Sequence, residues 1–171
     1  IGGPNDLYNF DHKDAARLAA ALAGLVSHGA SLMISPSRRT PPAFLDAVDT
    51  ATGATPRIFF RGEGVNPYAD FLANADAFVV TADSVNMAGE AAATGKPIYI
   101  FEPSGGGGKF ARYHDGLRAH GATRILPAAG CPIEPWTYAP LDSAAAIAHE
   151  IRRRWQIRCR ALPGLVVPQR G

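Results

Sequence analysis

Apolar positions along the chain follow two alternating rhythms. From Asp11 to Ser27, Ala15, Leu18, Ala19, Leu22, Leu25 and Val26 recur at helical spacing, with Asp11 or Asp14 placed to cap the helix and Gly29 to close it. Ala30 to Ser35 is then a short apolar run of strand length. The loop Ser37-Arg38-Arg39-Thr40-Pro41 follows, and Pro41-Pro42 suits the first turn of a helix reaching Thr50. The unit repeats: strand Arg57 to Phe60, loop Gly62 to Pro67, helix Pro67 to Asn74; strand Ala77 to Thr81, loop Ala82 to Asn86, helix Asn86 to Thr94 stopped by Gly95. Pro97 to Phe101 is the next strand, Glu102 to Gly108 its loop, Lys109 to His120 its helix, and Thr123 to Leu126 a short strand. After a stretch rich in proline (Pro127, Pro132, Pro135, Pro140), Asp142 to Ile157 reads as a last helix.

Strands of uniformly apolar residues, each followed by a helix, are the pattern of a parallel sheet covered on both faces. The opening Ile1-Gly2-Gly3-Pro4-Asn5 reads as the end of one more strand and its turn, which makes the expected piece the C-terminal part of a longer chain. The fold class predicted is α/β, a doubly wound, Rossmann-like parallel sheet of about six strands, in one domain over residues 1–171. Sheets of this kind bind ligands at the carboxyl ends of their strands, where the polar and Gly-rich loops of this chain fall.

Composition narrows the function classes. The 171 residues are 47% hydrophobic and carry 17 Lys and Arg against 15 Asp and Glu, a net charge of +2 that gives no argument for a nucleic-acid partner. No apolar run approaches the ~18–20 residues of a membrane span. Cys131 and Cys159 stand far apart, which argues against a zinc site or a disulfide framework, and no paired His spacing suggests a metal. A cytoplasmic protein needing no cofactor or metal is expected.

The loop Thr81 to Asn86, running into Met87-Ala88-Gly89-Glu90, is the most informative segment. It opens a helix from polar residues, and a helix N-terminus with its open N–H groups suits an anion such as phosphate. Glu90, one turn on, could accept hydrogen bonds from a ribose diol at the same mouth. A capping box with Asn86 or Asp83 as cap reads the same spacing equally well. Arg38 and Arg39 suit a diphosphate because guanidinium groups make bidentate bonds to phosphate, although adjacent arginines in a solvated turn look identical. Gly3 would let bare backbone approach a ligand. The run Gly105 to Gly108 reads as a flap over the ligand, with Lys109 reaching a phosphate, or as a flexible linker. Neither this run nor Gly95-Lys96-Pro97 is a P-loop, since the spacing is wrong and no Ser or Thr follows the Lys, and Gly62 to Pro67 lacks the third glycine of a dinucleotide fingerprint. His114 has packing as its default role. The basic residues Arg152, Arg153, Arg154, Arg158 and Arg160 either complement a helix dipole or offer a peripheral contact to acidic lipid or a partner.

Two resemblances, one nested in the other, rest on these motifs. The stretch from Ala75-Asp76 through Thr81-Ala82-Asp83-Ser84-Val85-Asn86-Met87-Ala88-Gly89-Glu90-Ala91 to Gly95-Lys96-Pro97-Ile98 resembles the C-terminal domain of GT-B glycosyltransferases, such as the peptidoglycan N-acetylglucosaminyl transferase. The set Gly2-Gly3-Pro4-Asn5, Ser37-Arg38-Arg39-Thr40-Pro41, Asn66-Pro67-Tyr68, Thr81 to Met87 and Lys109-Phe110 is similar, to about Ile157, to the mitochondrial-fission Elm-type family, which includes bacterial members. The GT-B likeness implies Glu90 on the ribose hydroxyls, Ser84, Val85 and Asn86 toward the diphosphate, and Gly3 and Arg38 completing its cradle. The chain departs from it in Asp83, a charge in a loop often neutral in the transferases, and in the length of the Gly run.

The function these likenesses imply is the donor-binding domain of a GT-B-like glycosyltransferase, taking a nucleoside-diphosphate sugar and completed by an N-terminal domain of the same protein. The apolar stretch around Trp136 and Tyr138 is expected on the face between the two. A non-catalytic interaction scaffold is the alternative, and a sugar-nucleotide epimerase working without NAD a weaker one, since Tyr99 and Tyr113 lack a Lys four residues on.

Overall fold

The computed structural model describes residues 1–129 and 131–161. Helix α1 spans His12–Ser27, and Asp11 caps it by accepting the N–H groups of Lys13 (2.8 Å) and Asp14 (2.9 Å). Its buried stripe holds Leu18, Leu22 and Leu25, and also Asp14. Strand β1 (Leu32–Ile34) leads to α2 (Pro42–Thr52), which starts at the proline pair and buries Phe44, Leu45 and Val48. Then come β2 (Arg57–Phe59), α3 (Tyr68–Asn74), β3 (Phe78–Thr81), α4 (Val85–Ala92), β4 (Ile98–Phe101), α5 (Gly108–Ala119) and β5 (Thr123–Ile125).

All strand pairs in these sheets are parallel, as the apolar runs require, but among the described residues the strands do not join into a single sheet of about six. The strands lie in a two-stranded sheet, β1-β2, and a three-stranded sheet, β3-β4-β5. The physical reason is a gap: β1 and β3 do not pair, and a cavity of about 890 Å³ lies between them, bordered by Leu32, Ile34, Val79 and Val80. The core nevertheless runs across both sheets. Leu18, Leu22 and Leu25 of α1 cluster with Ile34, Phe44, Val48, Tyr99 and Phe101. β4 is buried along its whole length, which explains its unbroken Ile98-Tyr99-Ile100-Phe101 sequence. Ala88, Ala91 and Ala92 of α4 are fully buried small residues that let this helix approach its neighbours closely.

The aromatics expected on a domain-facing surface are engaged within this unit. Trp136 packs edge-on against Tyr99 with ring centroids 5.2 Å apart and donates its indole N–H to the Gly121 carbonyl (3.0 Å). The Tyr138 hydroxyl donates to the Lys96 carbonyl (2.8 Å).

The first compact unit ends at Pro140, and a second begins at Leu141. The second holds α6 (Ser143–Ala161), which starts one residue later and ends four residues later than the pattern indicated. Glu150 accepts from Arg153 and Arg154, and Ile147, Ile151 and Trp155 are exposed at i, i+4 and i+8. Among the described residues, no helix is long and apolar enough to cross a membrane.

Asp14 has a fully buried side chain and accepts both the N–H (3.1 Å) and the hydroxyl (2.9 Å) of Ser104, together with an ion pair from Arg17 (3.0 Å). Asp14→Ala strips the loop after β4 of its anchor and is expected to cost about 2–3 kcal/mol in urea unfolding, with helix content retained. Burial is the main cause that raises the phenols of all five tyrosines, Tyr138 to about 12. Because the folded phenols hold their protons more tightly than the unfolded ones, their contribution is intact below the ordinary value of 10.0. It is lost as pH climbs from there through the folded values. A spectrophotometric titration is expected to show phenolate appearing later in the folded protein than in denaturant, with alkaline unfolding setting in above pH 10.

Candidate functional site

Three loops meet at the carboxyl ends of the strands. The Gly2 N–H donates to the Thr81 hydroxyl (2.7 Å) at the end of β3, and the Gly3 N–H donates to Asp83 Oδ2 (3.0 Å). Arg39, from the loop after β1, donates to the same Oδ2 (3.0 Å) and to the carbonyls of Gly3 and Pro4 (3.0 Å each). The Asp83 side chain is entirely buried, while that of Arg39 is about half exposed (48%). A Cβ on Gly2 would run into the Asp83 carboxylate and one on Gly3 into the Arg39 backbone, so close approach demands glycine at both positions. Asp83 Oδ1 has no partner among the described residues.

Directly after Asp83, α4 starts. Ser84 occupies its N-cap without a side-chain bond, which leaves the first-turn N–H groups of Val85, Asn86 and Met87 uncapped by any side chain. Of the two readings of this loop, the capping box is therefore not formed: Asp83 is turned to Gly3 and Arg39 instead. The Val85 carbonyl accepts the Tyr113 hydroxyl (2.9 Å) from α5. His114, next along α5, is buried and donates from Nε2 to the Ala82 carbonyl (2.7 Å), leaving Nδ1 without a partner among the described residues. Asn86 and Glu90 share an exposed face of α4. Glu90 Oε2 accepts the Tyr68 hydroxyl (2.6 Å), and burial, followed by the Glu90 contact, raises that phenol well above its ordinary value.

The remaining candidates lie around this centre. Lys109 is exposed in the first turn of α5, four residues before Tyr113 and so on the face that Tyr113 turns to α4. Arg38 does not join Arg39; it lines a separate pocket of about 470 Å³ with Ser37, Phe60, Arg61 and Asn66. The Gly105 to Gly108 run is tied down at its start and ends in α5. Gly105 bridges Tyr8, Gly106 donates its N–H to the Leu7 carbonyl (2.6 Å), and Ser104 is held by Asp14. Gly105 has φ +100°, and a Cβ there would strike the Leu7 backbone.

Gly3 and Arg39 are thus joined through Asp83, Ser84 follows it as the N-cap of α4, Val85 accepts from Tyr113, and Asn86, Glu90 and Lys109 lie on the solvent side. Tyr113 and Asp14 carry positioning roles that the sequence reading passed over. Asp14 was legible as the one charged member of an otherwise apolar helical stripe. Among the described residues, no three metal-ligating side chains cluster. Chemically, the arrangement offers open helix N–H groups for an anion, an exposed carboxylate and phenol for hydroxyl groups, and exposed cations at Arg38 and Lys109.

Removing Arg39 leaves a buried carboxylate with one N–H partner. Arg39→Ala is expected to cost about 2–3 kcal/mol, discounted for the exposure of the arginine. Asp83→Ala frees the Gly3 N–H, and the double variant is expected to cost less than the sum of the two by about 1 kcal/mol or more, read from a denaturation cycle.

The family described as mitochondrial fission ELM1 matches residues 1–155. The mitochondrial fission protein ELM1 of Arabidopsis thaliana is 33% identical over 164 residues, covering 92% of this chain and 38% of that protein. An uncharacterized protein of Rickettsia prowazekii (strain Madrid E) is 34% identical over 157 residues, 89% of this chain and 44% of its own length. The chain therefore spans less than half the length of these curated relatives. No solved structure matches. With parallel α/β architecture and a family match over nearly its full length, the chain belongs to the mitochondrial fission ELM1 family.

Proposed function

We propose that this chain is the donor half of a GT-B-like sugar transferase, binding a nucleoside-diphosphate sugar at the carboxyl ends of β1 and β3. The observation that carries the reading is the uncapped start of α4 beside a charge-neutralised Asp83. The arginine and the Gly3 N–H offset the carboxylate, so the dipole end of α4 presents open N–H groups without an uncompensated negative charge beneath them. In this reading the diphosphate lies across Ser84, Val85 and Asn86, with Lys109 and Arg38 as peripheral cations. Glu90 and Tyr68 take the ribose hydroxyls. The leaving diphosphate is stabilised by electrostatics alone, without a metal or other cofactor. Acceptor and general base belong to the remainder of the full protein, the N-terminal domain being the partner in cis.

A second reading is a non-catalytic interaction protein, and one contact favours it. The groups that would complete a phosphate cradle, the Gly3 N–H and Arg39, are already taken by the Asp83 carboxylate. The basic stretch of α6 then suits an acidic partner or the surface of a membrane.

Thermal shift of the complete protein with UDP, CMP, GDP, dTDP and ADP and their sugar conjugates separates the two. A ligand at a hundred times its Kd adds about 2.7 kcal/mol, a midpoint rise of several degrees in a protein of this size. The expected result is a shift with one base, abolished in Glu90→Ala while the fold persists. No shift with any of them would sink the donor reading and favour the scaffold.

A further inference from the structure

We propose that the pocket between the loops after β1 and β2 is a second ligand site, which takes a small organic anion: an apolar body carrying one carboxylate or phosphate. Its volume is about 470 Å³, within the range of small-molecule sites. The loop after β1 supplies Ser37 and Arg38, α2 supplies Leu45, and the loop after β2 supplies Phe60, Gly64 and Asn66. Two adjacent side chains separate it from the start of α4, because Arg39 turns to Asp83 while Arg38 lines the pocket. The site is independent of the donor reading, in which Arg38 is only a peripheral cation.

Floor and rim differ in chemistry. The less exposed lining residues include Pro36, Leu45 and Phe60, which make the floor apolar, while Arg38, Arg61 and Asn66 are exposed at the rim. Arg61 is already paired with Asp46 and Asp49 of α2, and Arg57 pairs with Asp49 as well. Two arginines match two aspartates there and leave no charge over. Arg38 makes no ion pair among the described residues, so it is the net charge at the rim. Asn66 spends its Oδ1 on the Tyr68 N–H (3.0 Å), and its Nδ2 can only donate. The Ser37 hydroxyl is engaged by Thr40 and accepts the Arg39 N–H (3.2 Å). The rim therefore offers donors and one positive charge above an apolar floor.

That combination selects its occupant. A hydrated inorganic ion gains nothing from an apolar floor, and a neutral apolar molecule leaves Arg38 without a partner. A ligand that satisfies both covers the floor with carbon and sets two oxygens against the guanidinium fork, a geometry that carboxylate and phosphate share. The wall has room for it. Gly62 and Gly64 present bare backbone with open space where a side chain would stand, and Glu63 and Val65 of the same loop do not line the pocket.

The probes are phenyl phosphate, benzoate, benzyl alcohol and inorganic phosphate, titrated into the complete protein. Saturation-transfer NMR reads the aromatic probes, and inorganic phosphate is read by its power to displace them. Phenyl phosphate or benzoate is expected to bind with a Kd of about 1 mM or tighter, and the tighter of the two names the anion. Benzyl alcohol, which lacks the charge, and inorganic phosphate, which lacks the apolar body, are expected to bind about 10-fold more weakly or worse. Arg38→Gln is expected to weaken the anion about 10-fold or more, and Arg38→Lys, a point charge in place of the fork, to keep part of the affinity. Arg38 bonds no other side chain among the described residues, so both variants retain the fold. Glu90→Ala, at the mouth of α4, is expected to leave this binding unchanged while it removes any nucleotide shift. The proposal is overturned if neither anion binds below about 10 mM, or if inorganic phosphate binds as well as phenyl phosphate. It is overturned equally if Arg38→Gln leaves the affinity unchanged, or if Glu90→Ala abolishes it, which assigns the anion to the start of α4.

Discussion

A carboxylate removed from water must find donors or lose its charge, and the position of Asp83 imposes that demand at the end of β3. Its donors come from elsewhere in the chain: the Gly3 N–H, 80 residues away, and Arg39, 44 residues away. Satisfying one buried oxygen therefore brings three loops to one place. Glycine at positions 2 and 3 is the steric consequence, because a side chain at either would displace the acid or the Arg39 backbone. The start of α4 is fixed by the same contact, since the residue after Asp83 is its N-cap.

A second buried acid plays the corresponding part under the loop after β4. Asp14 holds Ser104 from 90 residues away, and Arg17, paired with Asp14, reaches on to the Glu102 carbonyl and lies over the Phe101 ring at 5.0 Å. With that loop tied down and its glycines strapped to residues 7–9, α5 is set so that Tyr113 and His114 bond the backbone at the start of α4. The candidate site thus has a rigid floor built from internal hydrogen bonds. Its rim, at Arg38, Asn86, Glu90 and Lys109, is open to solvent. A ligand would meet the rim and the α4 N–H groups, and a protein partner would meet the same rim. Family membership alone does not choose between them, because function resides in the site rather than the fold.

Periodicity placed each helix and strand within a few residues, because burial of one face is a local property repeated every two or three to four positions. Pro41-Pro42 at the start of α2 and Ile98 to Phe101 as a strand buried on both faces were legible for that reason. The parallel pairing was legible too, since uniformly apolar strands alternating with helices have few other solutions. Motif spacing picked out Gly3 and Arg39, which meet at Asp83, and Ser84 and Val85, which follow Asp83 in the chain at the start of α4.

Tertiary contact alone decided the rest. Two adjacent arginines look the same in sequence, yet Arg39 is bound to a buried acid while Arg38 lines a different pocket. Asp83 and Asn86 were equal candidates for a cap, and neither caps, because Gly3 and Arg39 claim Asp83 first. The glycine run reads as loose chain, but Gly105 and Gly106 bond Tyr8 and Leu7, and Trp136 packs on Tyr99 and donates to Gly121. The division into two sheets depends on what stands between β1 and β3, which no local pattern reports. Hydrophobic burial is written residue by residue along the chain. The partner of a buried charge, a glycine or a strand edge is set by which distant segments the packed layers bring within bonding distance.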